Sequence, residues 1–267
     1  MTTRDADALF DRLWTQYAAL TPQADGIKGL LEARGETVQN DHVAFRTFDH
    51  PRLGIDRIAK PFLEAGYEPR DTYDFEAKKL FARYYAHSGD ETLPKVFVSE
   101  LLLAEFSGDL RAKVDGLVGQ MTDEQVDDPL LVASGRPWAV DRATYEALAA
   151  ESEYAGWLAA FGFCANHFTV FVNALDSFDS VEALAAFIEA EGYDMNTSGG
   201  LIKGGADVAL TQCSTKAARV PTAFSDGELV IPSCYYEFAQ RFEEPGGGLY
   251  QGFVARSADK IFESTDR

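Results

Sequence analysis

Four histidines occur among the 267 residues, and two of them, His42 and His167, each head a segment rich in strand-forming residues: HVAFRTF (42–48) and HFTVFVN (167–173). Imidazole is the commonest protein ligand for a transition metal, and its ring nitrogen binds well only when a rigid element holds it. Strand positions supply that rigidity. A non-haem iron site of the open, facial kind adds one carboxylate to two histidines and leaves its other positions to small ligands.

Glu237 is the first candidate for that carboxylate, because it lies inside the aromatic, strand-prone run YYEFA (235–239), where an unpaired charge is costly and a cation relieves the cost. Glu100, inside VFVSELL (96–102), has the same character and would be its counterpart in a duplicated fold, as a ligand or as a supporting group. Arg46 follows His42 by four residues, so period-two alternation points both side chains to one face, about 13 Å apart at roughly 3.3 Å rise per residue. A guanidinium there can lean back and grip a substrate carboxylate with two parallel hydrogen bonds. An ion pair with Glu100 or another acid is the alternative for Arg46. Arg241 bears the same relation to Glu237 and is the reserve for the same role, while His50 and His87 read as loop or strand-end residues.

Two similar units must position these groups. In the first, the strand headed by His42 is followed by a helix over about 54–65 and by Gly66-Tyr67. In the second, the strand headed by His167 is followed by a helix over about 180–191 and by Gly192-Tyr193. The intervals from His to Gly are 24 and 25 residues, which points to an internal duplication of strand, helix, then several strands. Further strands are predicted over 79–87, 95–102, 206–213, 228–231, 235–242 and 249–254, and Pro61 predicts a kink or early stop in the first unit's helix. Helical spacing of Leu9, Phe10, Leu13, Trp14, Tyr17 and Leu20 predicts an N-terminal amphipathic helix, with a second over 27–34. The resulting layout is one catalytic domain over 1–267, with pseudo-repeats over about 40–103 and 165–255, N-terminal helices within 5–34 and a helical insert over about 104–162. Paired about a pseudo-twofold axis, the two initial strands would meet in one cavity.

The composition narrows the function. With 46% hydrophobic residues a packed core is expected, and 24 basic against 43 acidic side chains, net −19, argue against nucleic acid as a partner. No run reaches the roughly 18 apolar residues of a membrane helix, and the N-terminus lacks signal-peptide order, so a soluble, cytoplasmic protein with no membrane partner is expected. Cys164, Cys213 and Cys234 read as small buried residues, not as a zinc site or disulfide framework. Pro245-Gly246-Gly247-Gly248 lacks the spacing of a phosphate loop, and no G-x-S-x-G elbow occurs. The polar run from Thr211 to Lys216 suits either a cavity lining or a capped turn.

The segments NDHVAFRTF (40–48), KVFVSELL (95–102), NHFTVFVN (166–173) and CYYEFAQRF (234–242) together resemble the DUF1338 family, whose characterised members are 2-oxoadipate dioxygenase/decarboxylases. The resemblance runs from about Leu9 to Val254. It implies an α+β fold of the vicinal oxygen chelate kind, paired βαβββ modules forming a mixed sheet around a metal cavity, with additional helices. It also implies Fe(2+), or another divalent metal, held by His42, His167 and Glu237, with Arg46 gripping the 2-oxo acid. The implied reaction takes a 2-oxo dicarboxylic acid and dioxygen, most simply 2-oxoadipate, to 2-hydroxyglutarate and carbon dioxide. The chain is shorter than the better-known members, so contacts to the far end of the acid are expected to differ. The competing expectations are a lyase, isomerase or hydrolase of the same fold using Zn, Mn or Ni, and a binding module without catalysis.

Overall fold

The computed structural model describes residues 3–254. Residues 1–2 and 255–267, the ends of the expected 1–267 unit, lie outside the described residues. Two helices open the chain, α1 (Thr3–Leu20) and α2 (Pro22–Ala33), and β1 (Asn40–Phe48) follows. The first module continues with α3 (Ile55–Glu64), β2 (Tyr67–Phe75), β3 (Leu80–His87) and β4 (Lys95–Leu101). The insert is helical, as expected: α4 (Gly108–Val118), α5 (Asp123–Asp127), α6 (Arg142–Glu151) and α7 (Glu153–Phe161). The second module contains β5 (Ala165–Phe171), α8 (Val181–Ala190), β6 (Lys203–Gly205), β7 (Leu210–Ser214), a hairpin of β8 (Arg219–Phe224) and β9 (Gly227–Pro232), and β10 (Tyr235–Arg241).

Eight strands form one mixed sheet in the order β2-β3-β4-β1-β5-β10-β7-β6, and β8 pairs only with β9. That order is a palindrome of modules. β4 lies parallel to β1 as β10 lies parallel to β5, and the seam between modules is the antiparallel pair β1–β5, with Ala44 opposite His167 and His42 opposite Thr169. The duplication read from the His-to-Gly intervals is therefore a duplication of βαβββ units, with a hairpin inserted before the last strand of the second. β1 and β5 are buried along nearly their whole length. Central strands covered on both faces read as continuous apolar runs with few interruptions, so the polar residues in them stand out.

Several boundaries differ from expectation for identifiable reasons. The helix α3 runs past Pro61 to Glu64, since Pro61 sits near its last turn and its ring is buried against the core. β2 carries Glu68, Pro69, Arg70 and Asp71 on an exposed edge, the charge and proline pattern that protects sheet edges and hides the strand from a hydrophobic reading. β8, with Pro221, escaped for the same reason. The strand expected from 206 begins at Leu210, because 206–208 is a single 3-10 turn and Ala209 adopts φ +56°. No strand forms over 249–254; that stretch is an irregular strap, with an isolated bridge from Leu249 to Glu243 just past the end of β10.

Candidate metal centre

His42 and His167 project from the two strands of the central seam, and Glu237 comes from β10, directly beside β5 with Glu237 in register with Thr169. One ligand atom from each of the three lies within 4.8 Å of the other two. This spread is close to the roughly 4.2 Å spanned by two donors on opposite sides of one ion at about 2.1 Å. The ring centroids of the two histidines are 5.5 Å apart with planes at 86°, and all three side chains are buried.

The hydrogen bonds around these rings decide which atoms face inward. His42 Nδ1 donates to Asp41 Oδ1 at 2.8 Å, and His167 Nδ1 donates to Asn166 Oδ1 at 3.0 Å. Each ring thus turns the lone pair of Nε2 toward the cavity. His42 Nε2 lies 3.7 Å from Glu237 Oε1 and 3.1 Å from the Thr169 hydroxyl, while His167 Nε2 lies 3.3 Å from Glu237 Oε2. Gln212 donates to Oε1, but Oε2 is buried with no hydrogen-bond partner. The Thr169 hydroxyl donates to His42 Nε2, while His167 Nε2 and Glu237 Oε2 turn lone pairs on each other in a water-poor space, an arrangement that a divalent cation converts from repulsion to coordination. The residues fit a metal.

Burial pushes the Glu237 carboxyl up to about 8 and drives both imidazoles down, His167 furthest. Burial also opposes ionisation of Asp41, but the Arg241 guanidinium outweighs it and holds that carboxyl far below the usual carboxylate range. Arg241 Nε and Nη2 grip the two Asp41 oxygens at 2.5 and 2.8 Å, and Nη1 donates to the carbonyls of Tyr250 and Gly252 at 2.8 and 2.9 Å. Arg241 is thus no substrate ligand: its donors are committed to the carboxylate that aims His42. Histidine ligands are routinely aimed in this way by an outer carboxylate or carbonyl.

Glu100 does not join the cluster. Aligning His42 with His167 through their strand partners places Phe97, not Glu100, opposite Glu237 in the duplicated plan. The counterpart of Glu100 is Gln240. Glu100 Oε2 accepts from the Ile55 amide at the start of α3, and Gln240 Oε1 accepts from the Val181 amide at the start of α8. Both cap their module's helix, where unpaired amides and the helix dipole favour an acceptor.

Arg46 lines the same cavity as His42 and is buried, as the alternation predicts. Its guanidinium stacks at 4.9 Å over each of the rings of Tyr154 and Trp157, which α7 presents and which are anchored in turn to Ser99 O and Ser233 O. Tyr235 stacks on His167 at 4.7 Å, and its hydroxyl, kept protonated by burial, has no hydrogen-bond partner among the described residues. His50 and His87 stay in loop and strand-end positions, and the three cysteines are buried and free. Asp41 and Asn166 were legible in retrospect as the polar residue preceding each histidine. Tyr235 and Phe253 carried no signal that separates them from core aromatics.

A mixed sheet of two βαβββ modules closed around two histidines and a glutamate defines a protein of the vicinal oxygen chelate-like class, with three side chains placed so that they could hold a metal ion. Residues 8–130 and 109–244 match the family described as HGLS, 2-oxoadipate dioxygenase/decarboxylase, and the chain belongs to that family. The chloroplastic 2-oxoadipate dioxygenase/decarboxylase of Arabidopsis thaliana is 36% identical over 253 residues, covering 84% of this chain and 67% of the plant protein. The hydroxyglutarate synthase of Oryza sativa, solved in complex with 2-oxoadipate, superposes with a TM-score of 0.91 at 31% identity over 97% of this chain and 91% of that one. A Shewanella frigidimarina protein with the provisional description of hydrolase superposes with a TM-score of 0.90 at 45% identity, covering 94% and 98% of the two chains. No helix among the described residues is long and apolar enough to cross a membrane.

Proposed function

We propose that this chain is an Fe(2+)-dependent dioxygenase/decarboxylase that converts 2-oxoadipate and dioxygen to 2-hydroxyglutarate and carbon dioxide. The atoms balance without a second organic substrate, since both dioxygen atoms end in the two products. The observation that carries the reading is the buried Glu237 carboxylate set between two imidazoles, with Oε2 lacking a hydrogen bond 3.3 Å from His167 Nε2 and Oε1 3.7 Å from His42 Nε2. The family and the named relatives supply the reaction class.

His42, His167 and Glu237 hold the metal. Iron, when bound, supplies the redox chemistry that activates dioxygen and the positive charge that draws in the 2-oxo acid. Asp41 and Asn166 keep the two rings turned inward, and Gln212 fixes one oxygen of Glu237 so that the other faces the metal. Arg46 takes the far carboxylate, and the stacked rings of Tyr154 and Trp157 hold its guanidinium plane in place. The Tyr235 hydroxyl donates a hydrogen bond to an oxygen of the bound acid, an interaction that satisfies a group otherwise left unpaired. Phe45, Phe97 and Phe253 line the cavity with apolar surface and exclude water.

The test is a panel of 2-oxo acids with Fe(2+)-loaded protein, following oxygen uptake and carbon dioxide release together. Equal molar amounts of both with 2-oxoadipate are expected. Undiminished carbon dioxide release under strict anaerobiosis, or activity sustained by Zn, Mn or Ni alone, would instead make the protein a lyase or hydrolase of the same fold.

A further inference from the structure

The cavity around the three metal-binding candidates has a volume of about 30 Å³, on a scale where one water needs roughly 10–15 Å³. That space cannot take the six carbons and five oxygens of 2-oxoadipate. A wall must therefore move to admit it. Every lining residue but one sits on β1, β4, β5, β7 or β10, whose backbones are locked in the sheet ladder. The exception is Phe253, on the irregular strap that follows β10.

The strap is held by a few contacts that can be named. Tyr250 N donates to Phe242 O at 2.9 Å, Arg241 clamps the carbonyls of Tyr250 and Gly252, and Phe253 N donates to the Tyr73 hydroxyl at 3.0 Å. Gly247 and Gly248, both at positive φ, form the turn that starts it. Beyond the clamp, Phe253 drops its ring edge-on against His42 at 4.9 Å and tilted against Phe97 at 5.0 Å. The other wall bordering open space is Arg46, which also lines a second cavity of about 250 Å³. Opening on that side would break both aromatic stacks on a buried guanidinium and shift a residue of the central strand, whereas Phe253 rides on a strap outside the ladder and leaves its ring contacts, the Arg241 guanidinium 5.5 Å from its ring and single hydrogen bonds with Tyr73 and Tyr250.

Building on the function proposed above, we infer that Phe253 is the gate of the substrate cavity and the residue that sets the length of the 2-oxo acid it accepts. Its ring packs against His42 and Phe97 inside the same small cavity, so an acid seated at the metal-binding candidates competes with it for space. Removing the ring makes room for longer chains and weakens the fit to the natural one. One methylene in an apolar pocket changes discrimination by roughly 10- to 200-fold.

The experiment compares wild type with Phe253→Ala and Phe253→Leu, the second retaining an apolar plug should the first fail to fold. For each, kcat/KM is measured on 2-oxoadipate and on 2-oxo diacids one and two carbons longer. The Kd of the same acids is measured by calorimetry on Zn(2+)-loaded protein without oxygen. The ratio of longer to natural acid is expected to rise at least tenfold in Phe253→Ala, with a smaller rise in Phe253→Leu, in both kcat/KM and binding. Ratios unchanged within twofold in both folded variants overturn the inference, and a shift produced instead by Tyr154→Ala moves the gate to the second cavity. Wild type that binds the acids but consumes no oxygen defeats the function proposed above, while the calorimetric ratios still decide the role of Phe253.

Discussion

The two βαβββ modules carry the same plan with different residues at the positions that matter. Each offers a histidine from its first strand, and each aims that ring with the preceding residue, Asp41 in one and Asn166 in the other. At the next position inward the symmetry stops. The second module places Glu237 beside its histidine's strand, while the first places Phe97 at the equivalent register. Likewise Tyr235 pairs with His167 where Lys95 pairs with His42, and Arg46 stands four residues after His42 where Phe171 stands four after His167. The duplication supplies two imidazoles, and its decay supplies one carboxylate and an open, apolar side. A fully symmetric site would offer a fourth protein ligand and leave an octahedral metal only two open positions, too few for a chelating 2-oxo acid and dioxygen together.

Removing the unique carboxylate breaks this asymmetry most severely. Glu237→Gln is expected to lose bound metal and to lower kcat by at least about 10³-fold, with metal analysis beside steady-state kinetics as the measurement. Metal retained at wild-type stoichiometry in this variant would remove Glu237 from the ligand set.

Making the first module imitate the second is the next largest change. Asp41→Asn leaves an acceptor for His42 Nδ1 but strips Arg241 of its buried counter-charge. Thermal or denaturant unfolding should show a loss on the order of 3 kcal/mol, and metal affinity should fall roughly 10- to 100-fold. Arg46→Ala should keep its metal and raise KM for 2-oxoadipate by an amount equivalent to roughly 1.5–3 kcal/mol, since the charge-assisted contact to the acid is lost while the stacks on Tyr154 and Trp157 that go with it lie away from the metal-binding candidates. Loss of metal in that variant would make Arg46 part of the scaffold instead.

Proton competition sharpens the comparison of ligands. As a proposed ligand Glu237 must be ionised to take the metal, and burial pushes its carboxyl up to about 8, whereas burial drives both imidazoles down and keeps them neutral in that range. Between about pH 6.5 and 8 metal affinity should therefore rise close to tenfold per pH unit and level off above 8. Calorimetric titration across that window should find one proton released per metal. The smallest effect belongs to Glu100→Gln, which installs the residue the second module uses at Gln240. Metal content should not change, and stability should shift by less than about 1 kcal/mol.

The residues with the least freedom were the most legible. Histidine and glutamate inside central, otherwise apolar strands contradict their surroundings, so their types alone suggested a shared ligand. What the sequence hid falls into two kinds. Edge elements such as β2 and β8 disguise themselves with charge and proline. Pairings such as Asp41–Arg241 join residues far apart in the chain and have no local signature. Glu100 misled because it shares an apolar run with its surroundings just as Glu237 does, and only strand register separates a helix cap from a ligand. The strap over 249–254 was misjudged because its buried aromatic residue, Phe253, packs into the cavity, where burial needs no ladder.

The Asp41–Arg241 pair spans almost the whole chain, from the first strand to the end of the last. The orientation of the first module's histidine is thus set by a residue that the second module supplies, and the two halves share one centre in their polar contacts as well as in their strands.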